Sequence, residues 1–398
     1  MSLIALTRRA RLRRRTALAT ALSLVCLGLA ACTDPPEPAV RPVGCVQPEQ
    51  PLSLAVGARA NSPTPVLSPD IESLVRGAAK AGKPVSIVQV DGRVDVDLDG
   101  RVFSTRGQNP NKRAKDLEAW IAGLHRRVGQ MRAAEPEADV LKALDVAAAQ
   151  VSQGGTVVLM DSGLQTTPPL DFRTAGLLDA APGEVVGFLR ANKALPDLTG
   201  RSVLFVGVGD TAAPQAELDV ARRRQLIAMW TAIANAAGAT CVETREMPAG
   251  PTAAPRTPPV SLVPVSPLPT FTPCGKTVLG DQGSVGFIPD SDRFRDPEAA
   301  RRTLAGLAEL LKRPGVRVEL IGTTSSWGTE RGRLALSRQR AGAVARVLVE
   351  LGVPEGRITT RGVGNNWPEL EEDRDKNGSL LPGPAARNRS VIVRISCG

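Results

Sequence analysis

The residue pattern that points most directly to chemistry is an arginine among apolar neighbours near the C-terminus. It lies in the run Arg333-x2-Leu336-Ser337-x2-Arg340-Ala341-x2-Val344-x3-Leu348. Apolar residues recur there every three or four positions, which predicts a helix with one buried face. Arg340 falls in the N-terminal half of this helix, where its planar guanidinium could hold a carboxylate through two parallel hydrogen bonds. The alternative is a surface arginine whose stem lies along the helix.

The segments around this helix supply the elements that would position the arginine. Strand patterns occur at residues 284–287, 316–321 and 388–393, and a helix is expected to begin at Asp296-Pro297. In order and spacing, residues 274–398 resemble the OmpA-like peptidoglycan-binding domains, whose helix signature is Asn-x2-Leu-Ser-x2-Arg-Ala-x2-Val-x3-Leu. Only the first position differs, because Arg333 replaces the asparagine. The resemblance implies an α+β domain with the order β-α-β-α-β-β.

The same resemblance implies a ligand site. In the family, the helix arginine takes a carboxylate of diaminopimelate, and an aspartate after the second strand receives its ammonium group. Here Ser325 stands at the aspartate position and carries no charge. Either the domain binds peptidoglycan weakly or in another chemical form, with Asp290, Asp292 or Glu330 supplying the anion, or it keeps the fold without the ligand. The residues expected to contact peptidoglycan are Arg340, Ser325, Thr324, Ser337, Asn388 and Arg389.

The N-terminus carries the pattern of a lipoprotein signal. Six arginines within residues 8–15 precede an uncharged, Ala- and Leu-rich run at residues 16–29 that is too short for a permanent span. The run ends on Leu-Ala-Ala-Cys and resembles a bacterial lipobox, which would make Cys32 the lipid-bearing, palmitate-carrying first residue of the mature chain. Plain cleavage that leaves an ordinary cysteine is the alternative. Residues 1–31 would be the signal and 32–45 a tether, which places the protein in the bacterial cell envelope, lipid-anchored and facing the cell wall.

Charge and composition argue against nucleic acid as a partner. The formal net charge of +10 includes the six arginines of the signal, and the mature chain would keep +4. The chain has no tyrosine, and aromatic residues make up only 3% of it, so few rings could stack on bases. Mild attraction to an anionic envelope is the expected consequence.

The cysteines that remain after processing predict two disulfides. An exported chain meets an oxidising compartment, and four cysteines allow three pairings. Cys45 and Cys241 bracket the middle region, and Cys274 and Cys397 bracket the C-terminal domain, so these two pairs are favoured. Because the chain has no Cys-x2-Cys spacing and a single histidine, a zinc site would lack ligands. We expect no metal and no cofactor.

Residues 46–245 are predicted to form an α/β domain. Strand patterns alternate with helical ones, which is typical of a doubly wound, mainly parallel sheet covered by helices on both faces. The strand patterns lie at residues 52–56, 85–90, 93–98, 156–160 and 202–208, and the helical patterns begin at 69 or cover 112–132, 138–151 and 215–237. Asp91-Gly92 predicts an early hairpin. In element order, the domain is similar to a von Willebrand factor A domain.

The metal site of the von Willebrand family is not preserved. The family uses Asp-x-Ser-x-Ser, a threonine and an aspartate, whereas this chain has Gly-Ala-Arg-Ala-Asn-Ser at 57–62, Ala138 and only Asp161. One carboxylate does not make a binding site for a divalent metal ion.

A partial calcium-loop pattern occurs at residues 373–378. It places Pro384 where a glutamate is needed, so hydrogen bonds within a turn explain the pattern better.

Nine prolines between positions 248 and 273 predict a semi-rigid spacer at residues 246–273.

No nucleophile elbow, phosphate loop or His-paired nucleophile occurs, which argues against an enzyme. The sequence thus predicts a lipid-anchored envelope protein that binds peptidoglycan through residues 274–398 and presents residues 46–245 to an unknown envelope protein. The alternatives are an envelope enzyme with a site near Asp161 and Asp210, or an OmpA-like fold that serves only protein contacts.

Overall fold

A computed structural model describes residues 40–246, 252–265, 269–281 and 283–398. The predicted signal and its lipobox cysteine, Cys32, lie outside the described residues. Among the helices of the described segments, none combines the length and the apolarity needed to cross a bilayer.

The N-terminal part is a six-stranded sheet with helices on both faces. Its strands are β1 (Leu52–Gly57), β2 (Pro84–Val90), β3 (Asp95–Val102), β4 (Thr156–Met160), β5 (Ser202–Val206) and β6 (Cys241–Arg245). Its helices are α1 (Pro69–Lys80), α2 (Pro110–Gln130), α3 (Val140–Ala149), α4 (Pro182–Ala191) and α5 (Val220–Ala236). The strand order is β3-β2-β1-β4-β5-β6, and all neighbours are parallel except β2 and β3.

This sheet separates two apolar cores. Strand β1 illustrates the alternation, because Ala55 faces the core under α3, α4 and α5, whereas Leu54 and Val56 face the core under α1 and α2. Both faces are therefore covered, which explains why β1 and β4 are buried along their whole length. The prediction of a mixed α/β domain is confirmed. Its resemblance to the von Willebrand family stays a prediction.

Several boundaries differ from the sequence pattern. The strand predicted at 202–208 ends at Val206, because Gly207 and Gly209 adopt positive φ values of 78° and 85°. The helix predicted from Gln215 begins at Val220, after the N-cap Asp219. The pattern predicts neither α4 nor β6. Strand β6 lies at the sheet edge and is half-buried along its whole length, so it lacks a strong apolar signal.

The C-terminal part is a four-stranded sheet with two long helices. Its strands are β7 (Lys276–Gly280), β8 (Val316–Gly322), β9 (Ile358–Gly362) and β10 (Ser390–Cys397), and its helices are α6 (Pro297–Leu311), α7 (Glu330–Glu350) and α8 (Pro382–Asn388). The strand order is β7-β10-β8-β9, with β10 antiparallel to both neighbours and β8 parallel to β9. Helices α6 and α7 bury their apolar faces on this sheet. The short helix α8 is an addition to the predicted order.

The prediction of a strand at residues 284–287 was wrong, because that segment is a turn and strand β7 precedes it. Asp281 bends the chain back, since its Oδ1 accepts the Phe287 N–H at 3.0 Å. The Gly286 N–H donates to Gly283 O at 3.0 Å. A Cβ at Gly286 would lie 2.5 Å from the Asp281 carbonyl oxygen, so only glycine allows this turn.

Residues 252–265 of the Pro-rich segment, which is predicted to be a semi-rigid spacer, pack against the α/β domain. Ala254 is buried in one core of that domain and Val263 in the other. The Gln215 side chain accepts from the Val263 N–H at 2.9 Å and donates to its carbonyl at 2.8 Å. Ala253 pairs with Pro63, which follows β1, whereas Gln215 follows β5. The segment therefore crosses the edge of the sheet formed by the carboxyl ends of the parallel strands.

Both predicted disulfides are present. Cys45 is joined to Cys241, with their Cα atoms 6.0 Å apart, and links the segment before β1 to β6. Cys274 is joined to Cys397, with a Cα separation of 5.3 Å, and links the segment before β7 to the end of the neighbouring strand β10.

The two sheets belong to one compact unit that covers residues 39–398. Ala386 of α8 is buried within a core of the α/β domain. The backbones also approach closely, because a Cβ at Gly383 would lie 2.8 Å from the carbonyl oxygen of Ala175. Helix α8 thus docks the C-terminal sheet onto the turn before α4.

Candidate functional site

Helix α7 is held tightly against the ends of β8 and β9. A Cβ at Gly322 or Gly362 would lie 1.8 Å or 2.3 Å from backbone atoms of α7. Ser337 lies at this contact, where its hydroxyl donates to Leu334 O and accepts the Gly364 N–H, both at 3.0 Å. Because its hydroxyl is fully used, Ser337 fixes the position of the helix.

Arg340 is carried into the interior by this packing. The residue is 1% exposed, and its Nε donates to Ser291 O at 3.0 Å. Its guanidinium carbon lies 5.2 Å from the centroid of the Phe287 ring, within the range of a cation–π contact. Burial lowers the pKa of Arg340, while the nearby carboxylates of Asp281 and Asp290 oppose this shift. Among the described residues, its Nη1 has no hydrogen-bond partner.

A cavity of about 890 Å³ lies beside this guanidinium, between helices α7 and α4. Four of the six predicted site residues line it together: Arg340, Thr324, Ser325 and Arg389. Thr324 is buried, and its Oγ1 has no partner in the described structure. Buried polar atoms are nearly always paired in folded proteins, so two unpaired donors at one cavity point to a ligand that supplies acceptors.

Arg389 lines the cavity, but its guanidinium is already occupied. Its Nε donates to Asp281 Oδ2 at 3.0 Å. Its Nη1 and Nη2 donate to the two carboxylate oxygens of Glu184, on α4, at 2.7 and 2.9 Å. Burial by itself would lower the pKa of Arg389, but the carboxylates of Asp281 and Glu184 outweigh it and raise that pKa. Arg389 therefore joins the two domains beside the cavity.

Asn388 supports the loop that carries Thr324 and Ser325. Its Nδ2 donates to Glu371 O at 2.9 Å and to Asp373 Oδ2 at 3.0 Å. Asp373 Oδ2 in turn accepts the Ser326 N–H at 2.8 Å. Asp375 Oδ1 accepts the backbone N–H groups two and four residues later, which agrees with turn hydrogen bonds for the partial calcium-loop pattern.

Sequence reasoning missed Asp281, Glu184 and the structural role of Arg333. Asp281 directly follows β7, which the strand pattern placed elsewhere. Glu184 is 205 residues from Arg389, so no local pattern could pair them. Arg333, which replaces the family asparagine, donates to Asn365 Oδ1 at 2.8 Å and to Ser326 O at 3.3 Å. The replacement therefore ties α7 to the cavity loop.

At the edge formed by the carboxyl ends of the strands of the N-terminal sheet, arginines form ion pairs with aspartates. Arg59 follows β1 and Asp161 follows β4, and their Nη1 and Oδ2 atoms are 2.8 Å apart with both side chains at most 1% exposed. A Cβ at Gly57 would lie 1.7 Å from Asp161 Oδ2, so glycine makes room for this pair. Asp210 is paired with Arg223 at 2.7 Å. Both aspartates of the predicted alternative active site are thus in ion pairs with arginines.

Comparisons with known proteins concern the C-terminal part of the chain. Residues 287–378 match the sequence model of the OmpA family. The probable lipoprotein YiaD of Escherichia coli (strain K12) is 43% identical over 120 residues, which are 30% of this chain and 51% of that protein. The chain thus spans about half the length of this relative.

Similar solved structures cover about a third of the chain. The peptidoglycan-associated lipoprotein of Burkholderia pseudomallei is 26% identical, with a TM-score of 0.24 over 30% of this chain and 88% of that one. The cell wall anchor of the T6SS of Pseudomonas aeruginosa is 23% identical, with a TM-score of 0.25 over 31% and 80%. The family match and the curated relative together confirm the predicted resemblance: the C-terminal part of this chain contains an OmpA family domain at residues 287–378.

Proposed function

We propose that this chain is a lipid-anchored envelope protein that holds peptidoglycan, without a covalent bond, in the cavity beside Arg340. The observation that carries the proposal is the buried guanidinium of Arg340, which lines the cavity and whose Nη1 lacks a partner among the described residues. A carboxylate could accept from it with the geometry that favours arginine over lysine. The OmpA family match supports the same ligand class.

A zwitterionic end of the wall peptide fits the charges that remain unpaired. Arg340 would take the carboxylate, and Asp290 would take the ammonium group that Ser325 cannot neutralise. Asp290 lines the cavity, whereas Asp292 is paired with Arg346 at 2.9 Å and Glu330 is not in the cavity lining. Of the three carboxylates considered from the sequence, Asp290 is thus the best placed to supply the anion.

Binding assays with purified peptidoglycan test this function. We expect Arg340→Ala to abolish cosedimentation, because the ligand carboxylate loses a charge-assisted bond worth about 1.5–3 kcal/mol. Arg340→Lys should recover little, and Asp290→Asn should weaken binding. Arg338→Ala removes the same charge from the exposed side of α7 and serves as the matched control.

Ser325→Asp should tighten binding to wall that contains diaminopimelate, since the ammonium regains an ionised partner beside Arg340. Unchanged cosedimentation of Arg340→Ala would refute the proposed site. If the wild-type chain does not sediment and Ser325→Asp alone creates binding, the domain keeps the OmpA fold without its ligand.

The anchor and the partner of the α/β domain are further parts of the proposal. Acylation of Cys32 would hold the chain in the membrane, and mass spectrometry of the mature N-terminus should detect the lipid; an unmodified Cys32 would contradict it.

The α/β domain would contact another envelope protein. Because Ala386 completes its core, pull-down experiments require the whole chain.

A further inference from the structure

The cavity beside Arg340 has a second wall that belongs to the other domain. Helix α4 faces α7 across it, and Gly183, Gly187 and Ala191 of α4 line the cavity at intervals of four residues, which places them on one face of the helix. Neither Gly183 nor Gly187 would bring a Cβ within 4 Å of another atom. Glu184 and Phe188 of the same helix also line the cavity, so the wall has open space at its two glycines between larger side chains.

The opposite wall carries apolar side chains beside polar ones, since Arg333 and Gln339 of α7 also line the cavity. Leu336 and Trp327 line the cavity from α7 and from the loop before it, and Trp327 is 58% exposed. Arg340 and Thr324, which each hold a buried atom without a partner in the described structure, line the same cavity. The result is a slot between α4 and α7 with a charged end.

The contact between Glu184 and Arg389 fixes the distance between these walls. Both carboxylate oxygens of Glu184 are bonded, so α4 is tied directly to the residue that precedes β10. Close backbone packing at Gly176 and Gly383 prevents the walls from approaching further.

We infer that α4 of the α/β domain is part of the peptidoglycan site and contacts the wall peptide next to the residue held by Arg340. The inference rests on the proposed function. The neighbouring part of the peptide would lie between Gly187 and Leu336, while the zwitterionic residue reaches Arg340 and Asp290. The α/β domain thus contributes one side of the site, and the OmpA-like domain holds the charged end of the peptide.

The test places a large side chain on α4, in the cavity wall that belongs to the α/β domain. Gly187→Phe places a ring in open space on an exposed helix position and leaves every residue of the OmpA-like domain unchanged. Gly129→Phe is the matched control, because Gly129 also lies in a helix, α2, and a Cβ there meets no atom within 4 Å. Calorimetry with the mature chain would use a soluble muropeptide with a tetrapeptide stem and, separately, free diaminopimelate.

We expect Gly187→Phe to weaken muropeptide binding at least tenfold while diaminopimelate binding stays within twofold of the wild type. Gly129→Phe should leave both unchanged, and the two variants should melt at the same temperature within a few degrees. Wild-type muropeptide affinity in Gly187→Phe, together with loss of binding in Arg340→Ala, would overturn the inference and keep the proposed function. Retained binding in Arg340→Ala would instead overturn the proposed function.

Discussion

Arg59 and Arg340 are both 1% exposed, and they differ in what their guanidinium groups contact. Arg59 faces the carboxylate of Asp161, so its charge is neutralised inside the protein. Arg340 donates only to a backbone carbonyl and has an Nη1 without a partner in the described structure. A buried charge is costly unless it is paired. The first arginine therefore closes the edge of a sheet, and the second is suited to a ligand.

The Arg59–Asp161 pair predicts a strongly coupled effect on stability. Arg59→Met should lower the free energy of unfolding by about 3–5 kcal/mol, because it leaves a buried carboxylate without its counter-ion. Asp161→Leu should cost a similar amount, and the double variant should be more stable than either single variant. Urea unfolding followed by circular dichroism measures all three.

The exposed pair of Arg93 and Asp95 provides the control for that series. Arg93→Met should change the free energy of unfolding by less than about 1 kcal/mol, since exposed ion pairs contribute little. The variant that combines Arg59→Met with Asp161→Leu is the decisive one. If its free energy of unfolding falls by the sum of the two single losses, Arg59 and Asp161 do not act as a pair.

At the scale of elements, one short segment joins the two halves of the molecule. The 3-10 turn Leu177–Asp179 lies directly before α4 and contacts α8 of the C-terminal part. It presents the buried carboxyl of Asp179, which lies 3.5 Å from Arg222 of α5. Burial raises the pKa of Asp179 to about 7, although Arg222 opposes the shift.

This pKa predicts that the contribution of Asp179 to stability falls as the pH rises. The folded state keeps a proton that the unfolded state releases near pH 4, so the contribution is full below about pH 4 and is lost as the pH rises to about 7. Asp179→Asn cannot titrate. The free energy of unfolding of this variant, relative to the wild type, should therefore rise between pH 5 and pH 8. Denaturant titrations at several pH values measure it, and a difference that stays constant or falls over this range would contradict the prediction.

At the scale of the whole molecule, the docking of α8 makes the two sheets a single unit. Position 383 of α8 must be glycine for close packing, since a Cβ there would lie 2.8 Å from a backbone oxygen of the other domain. We expect Gly383→Ala to weaken this docking, so that the two sheets unfold in separate steps. Calorimetry should then record two melting transitions where the wild type has one.

Gly356→Ala is the matched control for the docking variant. Gly356 lies in the same C-terminal part, and a Cβ there meets no atom within 4 Å. This variant should keep the single transition. Two transitions in the wild type would mean that the sheets already melt independently and that α8 does not couple them.

The sequence by itself determined the elements whose apolar pattern is local. The strands β1, β4 and β8 and the helices α1 and α7 follow from residue periodicity and caps, because each of them buries a face that recurs at its own period. The OmpA-like resemblance also singled out Arg340, Thr324 and Ser325, which belong to one helix and the loop that precedes it, and the structure places all three in the lining of one cavity. The cysteine positions likewise favoured the two disulfides that are present.

Only the tertiary structure decided what surrounds those residues. Helix α4 has no strong pattern, and the bonds between Glu184 and Arg389 join residues 205 positions apart. The packing of the Pro-rich segment likewise depends on Val263 reaching Gln215 across the sheet edge. Local patterns record which face of an element is buried, but they do not record which distant element covers it. The charged end of the cavity was therefore readable from the chain, whereas its second wall required the fold.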